Sequence, residues 1–233
     1  MLDGDAPSLP PLLRADDASE NPFARAVSRA LTGAEPGLVT WARRDDRLDA
    51  AVVLAPEQPL ENAVAVLLVG AVAIGDAIGA LAPPEVAVHY DWPGELRVNG
   101  ALCGRMRITA ANSVPNEPPD WMVLGLELDF LPSEGREGGE TPDRTFLYAE
   151  GCGEMHPLPL LESWSRHLLV WINRFLDEGL APVHAAWRAR AWKMGEPLAD
   201  GSGLFVGLDE LGGMLVKTDD KTILRPLTEA LEE

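Results

Sequence analysis

The sequence predicts an α+β fold carrying a small β module at its end, and three observations support this. A long apolar stretch, Ala63–Gly75, lies inside a segment with helical spacing over Leu60–Leu81. Asn99-Gly100 sits between two strand-like runs, the strongest short signal for a tight hairpin. From Gly203 onward the chain turns to short β-like runs separated by turn residues, so an α+β body gives way to a β appendix.

Met1–Glu20 mixes Pro, Asp and Ser with little periodicity and reads as an extended arm. Asn21-Pro22 then reads as a helix cap followed by proline at the first helical position. Phe23, Ala26, Val27, Ala30 and Leu31 follow at helical spacing, and Gly33 ends the run. Gly37–Trp41 and Ala50–Leu54 are short β-like runs across a polar loop, and Val86–Tyr90 is a further strand candidate. Glu95–Val98 and Leu102–Ile108 form the hairpin, and Trp121–Phe130 alternates as a strand. Pro132–Arg144, rich in Gly and Glu, reads as a loop.

Leu158–Leu180 predicts an amphipathic helix with Leu161, Trp164, Leu168, Trp171, Ile172 and Phe175 on one stripe. A shorter helix follows over Pro182–Lys193. Gly203–Val206, Gly213–Lys217 and Thr222–Pro226 are the terminal strands. The expected organisation is therefore an arm over 1–20, a main domain over 21–192 and a small β domain over 193–233.

Hydrophobic residues make up 46% of the 233 and charged residues 24%, which suits a globular chain, but the net charge is −18. So acidic a surface repels phosphate backbones and anionic lipid, so neither nucleic acid nor membrane is an expected partner. Two cysteines, Cys103 and Cys152, supply no disulfide framework, and Met1–Leu13 has no basic leader; a cytoplasmic location is the expectation. The thirteen residues of Ala63–Gly75 fall short of the roughly 20 that cross a bilayer, which predicts a buried core helix. Lysine is scarce: three residues (Lys193, Lys217 and Lys221) against sixteen arginines, and none before position 193.

The segment His89-Tyr90-Asp91-Trp92-Pro93-Gly94-Glu95-Leu96-Arg97-Val98-Asn99-Gly100 resembles the Lys-Trp-Pro-Asn-Asp signature of the biotin/lipoate protein ligases. In that family the signature also runs into a hairpin and then a Lys-x-x-Gly step, here Ala101-Leu102-Cys103-Gly104. Trp121–Asp129 looks like the family's strand ending in Gly-Ile-Gly-x-Asn, and Gly207–Leu215 is similar to a turn and strand of its C-terminal SH3-like barrel. The order and spacing match from about Phe23 to the end. The resemblance implies a mixed β-sheet backed by helices, with a small SH3-like β-barrel behind it. It also implies a site where biotin or lipoate is activated with ATP and passed to a carrier-protein lysine.

That reaction joins a carboxylate to a phosphate, so basic side chains must offset the developing negative charge. Here the chain departs from the pattern. Asp91 stands at the signature lysine, Ala101 at the second lysine, and Gly94-Glu95 at the Asn-Asp pair. The Gly-Arg-Gly-Arg loop is missing, and the shorter Trp41–Arg47 stands in its place. A carboxylate where phosphate oxygens belong costs several kcal/mol in a partly buried site. The resemblance with these losses implies a non-ligase relative that binds a small carboxylic acid or an acyl-carrier domain. An active ligase using arginines, with biotin, lipoate or ATP as its cofactors, and a dimeric structural protein are the alternatives.

By position, the candidate ligand-binding residues are Trp41, Arg43, Arg44 and Arg47 on the short loop, and Trp92, Pro93, Gly94 and Glu95 in the signature. Cys103, Gly104, Arg105, Arg107, Gly125 and Asp129 on the following strands complete the set. Arg43–Arg47 reads either as a solvated loop with local ion pairs or as a cationic replacement for the lysines. Arg105 and Arg107, two apart, share one strand face that is either plainly exposed or turned to an anion. His89 is a candidate base or an ordinary edge histidine. Cys152, Glu154 and His156 would share one face if extended, yet no fourth ligand is evident, so no metal is expected.

Overall fold

The computed structural model describes residues 6–18, 20–132 and 143–232. Seven strands form one mixed sheet in the order β1-β2-β3-β7-β6-β5-β4. They are β1 (Arg14–Asp17), β2 (Leu38–Trp41), β3 (Arg47–Leu54), β4 (Val88–Asp91), β5 (Glu95–Val98), β6 (Ala101–Ala110) and β7 (Met122–Asp129). Every neighbouring pair is antiparallel except β1 and β2, which run parallel. The expected N-terminal arm thus enters the sheet as an edge strand. Its Arg14-Ala15-Asp16-Asp17 sequence lacks apolar alternation because an edge strand buries little.

Helix α1 (Pro22–Leu31) starts where the cap predicts, with the Asn21 side chain accepting from the Ala24 amide at 3.0 Å. It covers one end of one sheet face, where Phe23, Ala26 and Ala30 meet Leu38, Ala51, Val53 and Val123 in a small apolar cluster. The opposite face is covered by α3 (Val66–Leu81), α4 (Pro157–Glu178) and α5 (Ala181–Ala189). The expected helix over Leu60–Leu81 is broken at Val64-Ala65, leaving α2 (Leu60–Ala63) as a separate turn. Its apolar window is 78% buried, so α3 is a core helix.

Gly70 lets α3 lie close to the sheet, since a Cβ there would stand 2.6 Å from Met106 and 2.9 Å from Leu124. The expected stripe of α4 holds: Leu161, Trp164, Leu168 and Phe175 are buried, with Trp171 and Ile172 packed beside them. A charged group in this layer is satisfied. Asp76 on α3 accepts from Trp171 at 2.8 Å and from Arg190 at 3.0 Å, and Arg190 also donates to the Tyr90 hydroxyl at 2.9 Å.

Asn99 and Gly100 both adopt positive φ (49° and 94°), the geometry of the two-residue turn that closes β5 and β6. At the far end β8 (Leu204–Leu208), β9 (Met214–Lys217) and β10 (Thr222–Arg225) form a three-stranded antiparallel sheet, consistent with a small SH3-like module. Most of the expected Pro132–Arg144 loop lies outside the described residues.

Candidate functional site: a charged sheet face

Strand alternation sends the apolar side chains of β3, β6 and β7 toward α3 and α4. The intervening residues point to the face that carries α1. α1 covers only part of that face. Beyond it the strand register lines up Asp49, Glu127, Arg105, Glu95 and Asp91 as direct cross-strand neighbours from β3 to β4. One guanidinium stands among four carboxylates in this row. Arg47 pairs with Asp129 one step along β3 and β7, and Arg107 lies opposite Gly125 one step the other way.

Glu127 is the hub. It accepts from Arg105 (2.9 Å) and Arg107 (2.9 Å) and pairs with Arg47 (3.1 Å). Burial alone would raise its carboxyl. Hydrogen bonds from Arg105 and Arg107, with the charges of Arg105 and Arg47, hold it below the usual range. Asp49 has no such hydrogen bonds among the described residues. Burial pushes it up to about 6, Arg47 opposes the rise, and the neighbouring Glu127 charge adds to it. Asp129 is also raised, again mainly by burial, because the Arg47 Nε reaches it only at 4.0 Å.

Arg107 is held on three sides. Its Nη1 donates to Glu127, its Nε lies 2.9 Å from one Glu232 oxygen and its Nη2 donates to the other, while its guanidinium stacks on Phe23 at 4.1 Å from the ring centroid. These bonds, that to Glu232 foremost, raise its pKa further above the usual guanidinium range.

The remaining sequence candidates are spread around this face. Asp91, at the family lysine position, accepts from Arg97 at 2.8 Å, and Arg97 also reaches Glu95 at 3.6 Å. Ala101 opens β6, half-buried and without charge. Arg43 pairs with Asp17 of the edge strand at 2.9 Å, and Arg44 turns back onto Asp46 at 2.8 Å. Arg47 instead belongs to β3 and joins the cluster. Trp41 is buried, with Arg43 over its ring.

Trp92 donates to the Gly212 carbonyl at 3.0 Å, and Pro93 follows a cis bond, so this part of the signature ties the hairpin to the C-terminal sheet. Between them lies a cleft of about 390 Å3 bordered by Asp91, Trp92, Arg97, Trp192, Lys193 and Arg225 among others. Gly94 and Gly104 serve backbone approach: a Cβ would stand 2.7 Å from the Met106 carbonyl oxygen and 2.2 Å from that of Glu127. At Gly125 a Cβ would stand 2.5 Å from the Phe23 ring. The Cys103 thiol is buried, raised by burial, and directed at the Asp129 carbonyl at 3.5 Å.

One candidate cluster does not assemble, and one candidate base is packed away from the charged row. Residues 151–156 fold as a turn rather than a strand; Cys152 is buried while Glu154 and His156 are exposed, so the three do not share a face. His89 packs edge-on against Trp192 at 5.3 Å, and burial lowers its pKa. Its buried Nδ1 has no hydrogen-bond partner among the described residues.

Sequence reasoning missed Glu127, Asp49, Phe23 and Glu232. For Glu127 a signal existed: it stands at the second glycine of the Gly-Ile-Gly-x-Asn pattern and shares a strand face with Gly125 and Asp129. Glu232 had none, since it meets Arg107 across 125 positions of sequence.

Residues 9–189 match the model of the biotin/lipoate A/B protein ligase family. A biotin--[acetyl-CoA-carboxylase] ligase of Paracoccus denitrificans is 26% identical over 184 residues, 76% of each chain. Among solved structures, a biotin protein ligase-like protein of unknown function from Silicibacter sp. tm1040 superposes with TM-score 0.92 at 48% identity, covering 98% of this chain and 100% of that one. The biotin protein ligase of Aquifex aeolicus superposes with TM-score 0.74 at 17% identity, over 91% and 94%, a likeness of fold.

Proposed function

Because the chain belongs to the biotin/lipoate A/B protein ligase family, we propose that it is a non-ligase member that binds a small carboxylic acid without activating it. One observation carries this reading: the arginines that face the site end on carboxylates of the chain itself. Arg47, Arg105 and Arg107 close on Glu127, and Arg97 closes on Asp91. Adenylation needs cations positioned for a nucleotide's phosphates. The residues present do not fit that group, because the cross-strand row sets four carboxylates around one guanidinium. Bringing a polyphosphate to this face would add like charge at close range and break existing pairs.

A monocarboxylate makes a smaller demand. It needs one guanidinium fork; that of Arg107, stacked on Phe23 and braced by Glu127, is rigid and is filled by the single carboxylate of Glu232, which one monocarboxylate can replace. Isothermal calorimetry with octanoate, lipoate and biotin tests the reading. Binding of at least one acid, with an affinity that ATP leaves unchanged, is expected; no heat with any acid overturns it. The Paracoccus relative is named for a protein substrate, acetyl-CoA carboxylase. A carrier domain is accordingly the second reading, tested by titrating a purified biotin carboxyl carrier domain in the same instrument.

A further inference from the structure

The feature of this face that the family pattern does not explain is the segment Leu231-Glu232. It follows the C-terminal sheet and a short 3-10 turn over Leu227–Ala230, then returns to the main sheet. The hairpin partner β5 pairs with β6 as far as Arg105, and the Gly94 carbonyl accepts from the Met106 amide at 2.7 Å, which leaves the Arg107–Ala110 end of β6 with an edge open on that side. Leu231 bridges to Ile108 there, the Glu232 amide donates to the Ile108 carbonyl at 2.8 Å, and the Thr109 hydroxyl donates to the Glu232 carbonyl at 2.7 Å. This short pairing delivers the Glu232 carboxylate onto Arg107.

The docking has the geometry of a bound ligand. Nε and Nη2 of Arg107 form the side-on fork that grips both oxygens of one carboxylate, while Nη1 is engaged by Glu127 and the guanidinium plane by Phe23. The fork is therefore the sole edge of Arg107 not committed to the sheet or to α1. Glu232 keeps 35% of its side chain exposed against 19% for Arg107, so the carboxylate sits at the solvent side of the fork and can leave without unpacking the core. A few hydrogen bonds and the packing of half-buried Leu231 hold the segment, against the full ladder that holds β6 to β7.

We propose that the Arg107 fork is the carboxylate subsite of this protein and that Glu232 is its internal occupant, which an acyl carboxylate must displace to bind. The inference rests on the acid-binding reading and adds the anchoring residue and the self-blocking segment. An incoming monocarboxylate takes both oxygen positions from Glu232, and the Glu232 amide leaves the Ile108 carbonyl while Leu231 stays packed. Affinity for free acid is set by competition with a tethered carboxylate, so removing the tethered one tightens binding.

The test compares octanoate binding by calorimetry to the full chain, to Glu232→Gln and to Arg107→Gln. Glu232→Gln keeps the side-chain shape and removes the charge; it is expected to bind octanoate about tenfold tighter than the parent, which corresponds to the loss of one competing charge-assisted contact. Arg107→Gln is expected to abolish binding, with circular dichroism confirming that it folds. A second readout is hydrogen exchange at the Glu232 amide, which saturating octanoate should accelerate in the parent chain. Equal octanoate affinity in parent and Glu232→Gln overturns the displacement inference and leaves acid binding standing. Binding that survives in Arg107→Gln overturns the subsite. Absence of octanoate binding in both the parent and Glu232→Gln overturns the acid-binding reading for this ligand class, and the subsite with it.

Discussion

Replacing Asp49 with asparagine should stabilise the protein at neutral pH and leave it unchanged in acid. Asp49 lies on β3 opposite Glu127, almost wholly buried, with a folded pKa of about 6 against 3.8 for the ordinary group. Its raised value means that the folded chain holds this proton more tightly than the unfolded chain does. The associated stability is fully present below about pH 4 and is lost as pH rises through 6. A difference of about two units corresponds to at most about 3 kcal/mol, and water reaching the edge of the cluster brings the figure down to about 1–2 kcal/mol. Asparagine is nearly isosteric and carries no charge to desolvate. Urea unfolding at pH 4.0 and 7.5 on parent and Asp49→Asn measures the effect. The variant should gain about 1–2 kcal/mol at pH 7.5 and nothing at pH 4.0. A loss of stability at pH 7.5 would mean that Arg47 governs Asp49 as an ion pair, and the same difference at both pH values would mean that the ionisation of Asp49 does not contribute; either refutes the burial argument.

Three further outcomes follow from the packing. Glu127→Ala removes the acceptor shared by Arg47, Arg105 and Arg107, and urea unfolding should show a loss of about 1–3 kcal/mol, because three guanidinium groups lose their common acceptor and only Arg47 and Arg107 keep a second carboxylate. Gly125→Ala drives a methyl toward the Phe23 ring and should lower stability by about 1–3 kcal/mol; an unchanged melting temperature would mean that α1 shifts freely over the sheet. Trp92→Phe deletes the indole donor to Gly212 and should cost about 0.5–1.5 kcal/mol, seen as faster hydrogen exchange in β8 and β9.

The elements of the fold were legible wherever local chemistry determines them. Asn21 caps α1, Asn99-Gly100 makes the tight turn, and the α4 stripe buries Trp164 and Phe175, each for reasons contained in a few neighbouring residues. The break at Val64-Ala65 carried no such signal, because the flanking apolar residues read as one uninterrupted helix. Strand β1 was invisible for the opposite reason: a parallel edge strand is specified by β2 and leaves no alternation of its own. Within the site, sharing of a face by Arg105 and Arg107 follows from strand period alone. The partners that decide their chemistry did not follow, since Glu127 and Glu232 are brought in by sheet register and by a returning segment. The lost lysines were readable from the pattern at Asp91 and Ala101. That Asp91 holds Arg97, rather than merely lacking positive charge, required the hairpin.

A face so closed on its own carboxylates does not activate an acid. ATP–pyrophosphate exchange tests it most directly, with purified full-length chain, magnesium, and biotin, lipoate or octanoate in turn. Exchange no faster than in a mixture without acid is expected for all three. Acid-dependent exchange with any one of them, accompanied by the corresponding acyl-adenylate in the mass spectrum, would contradict it.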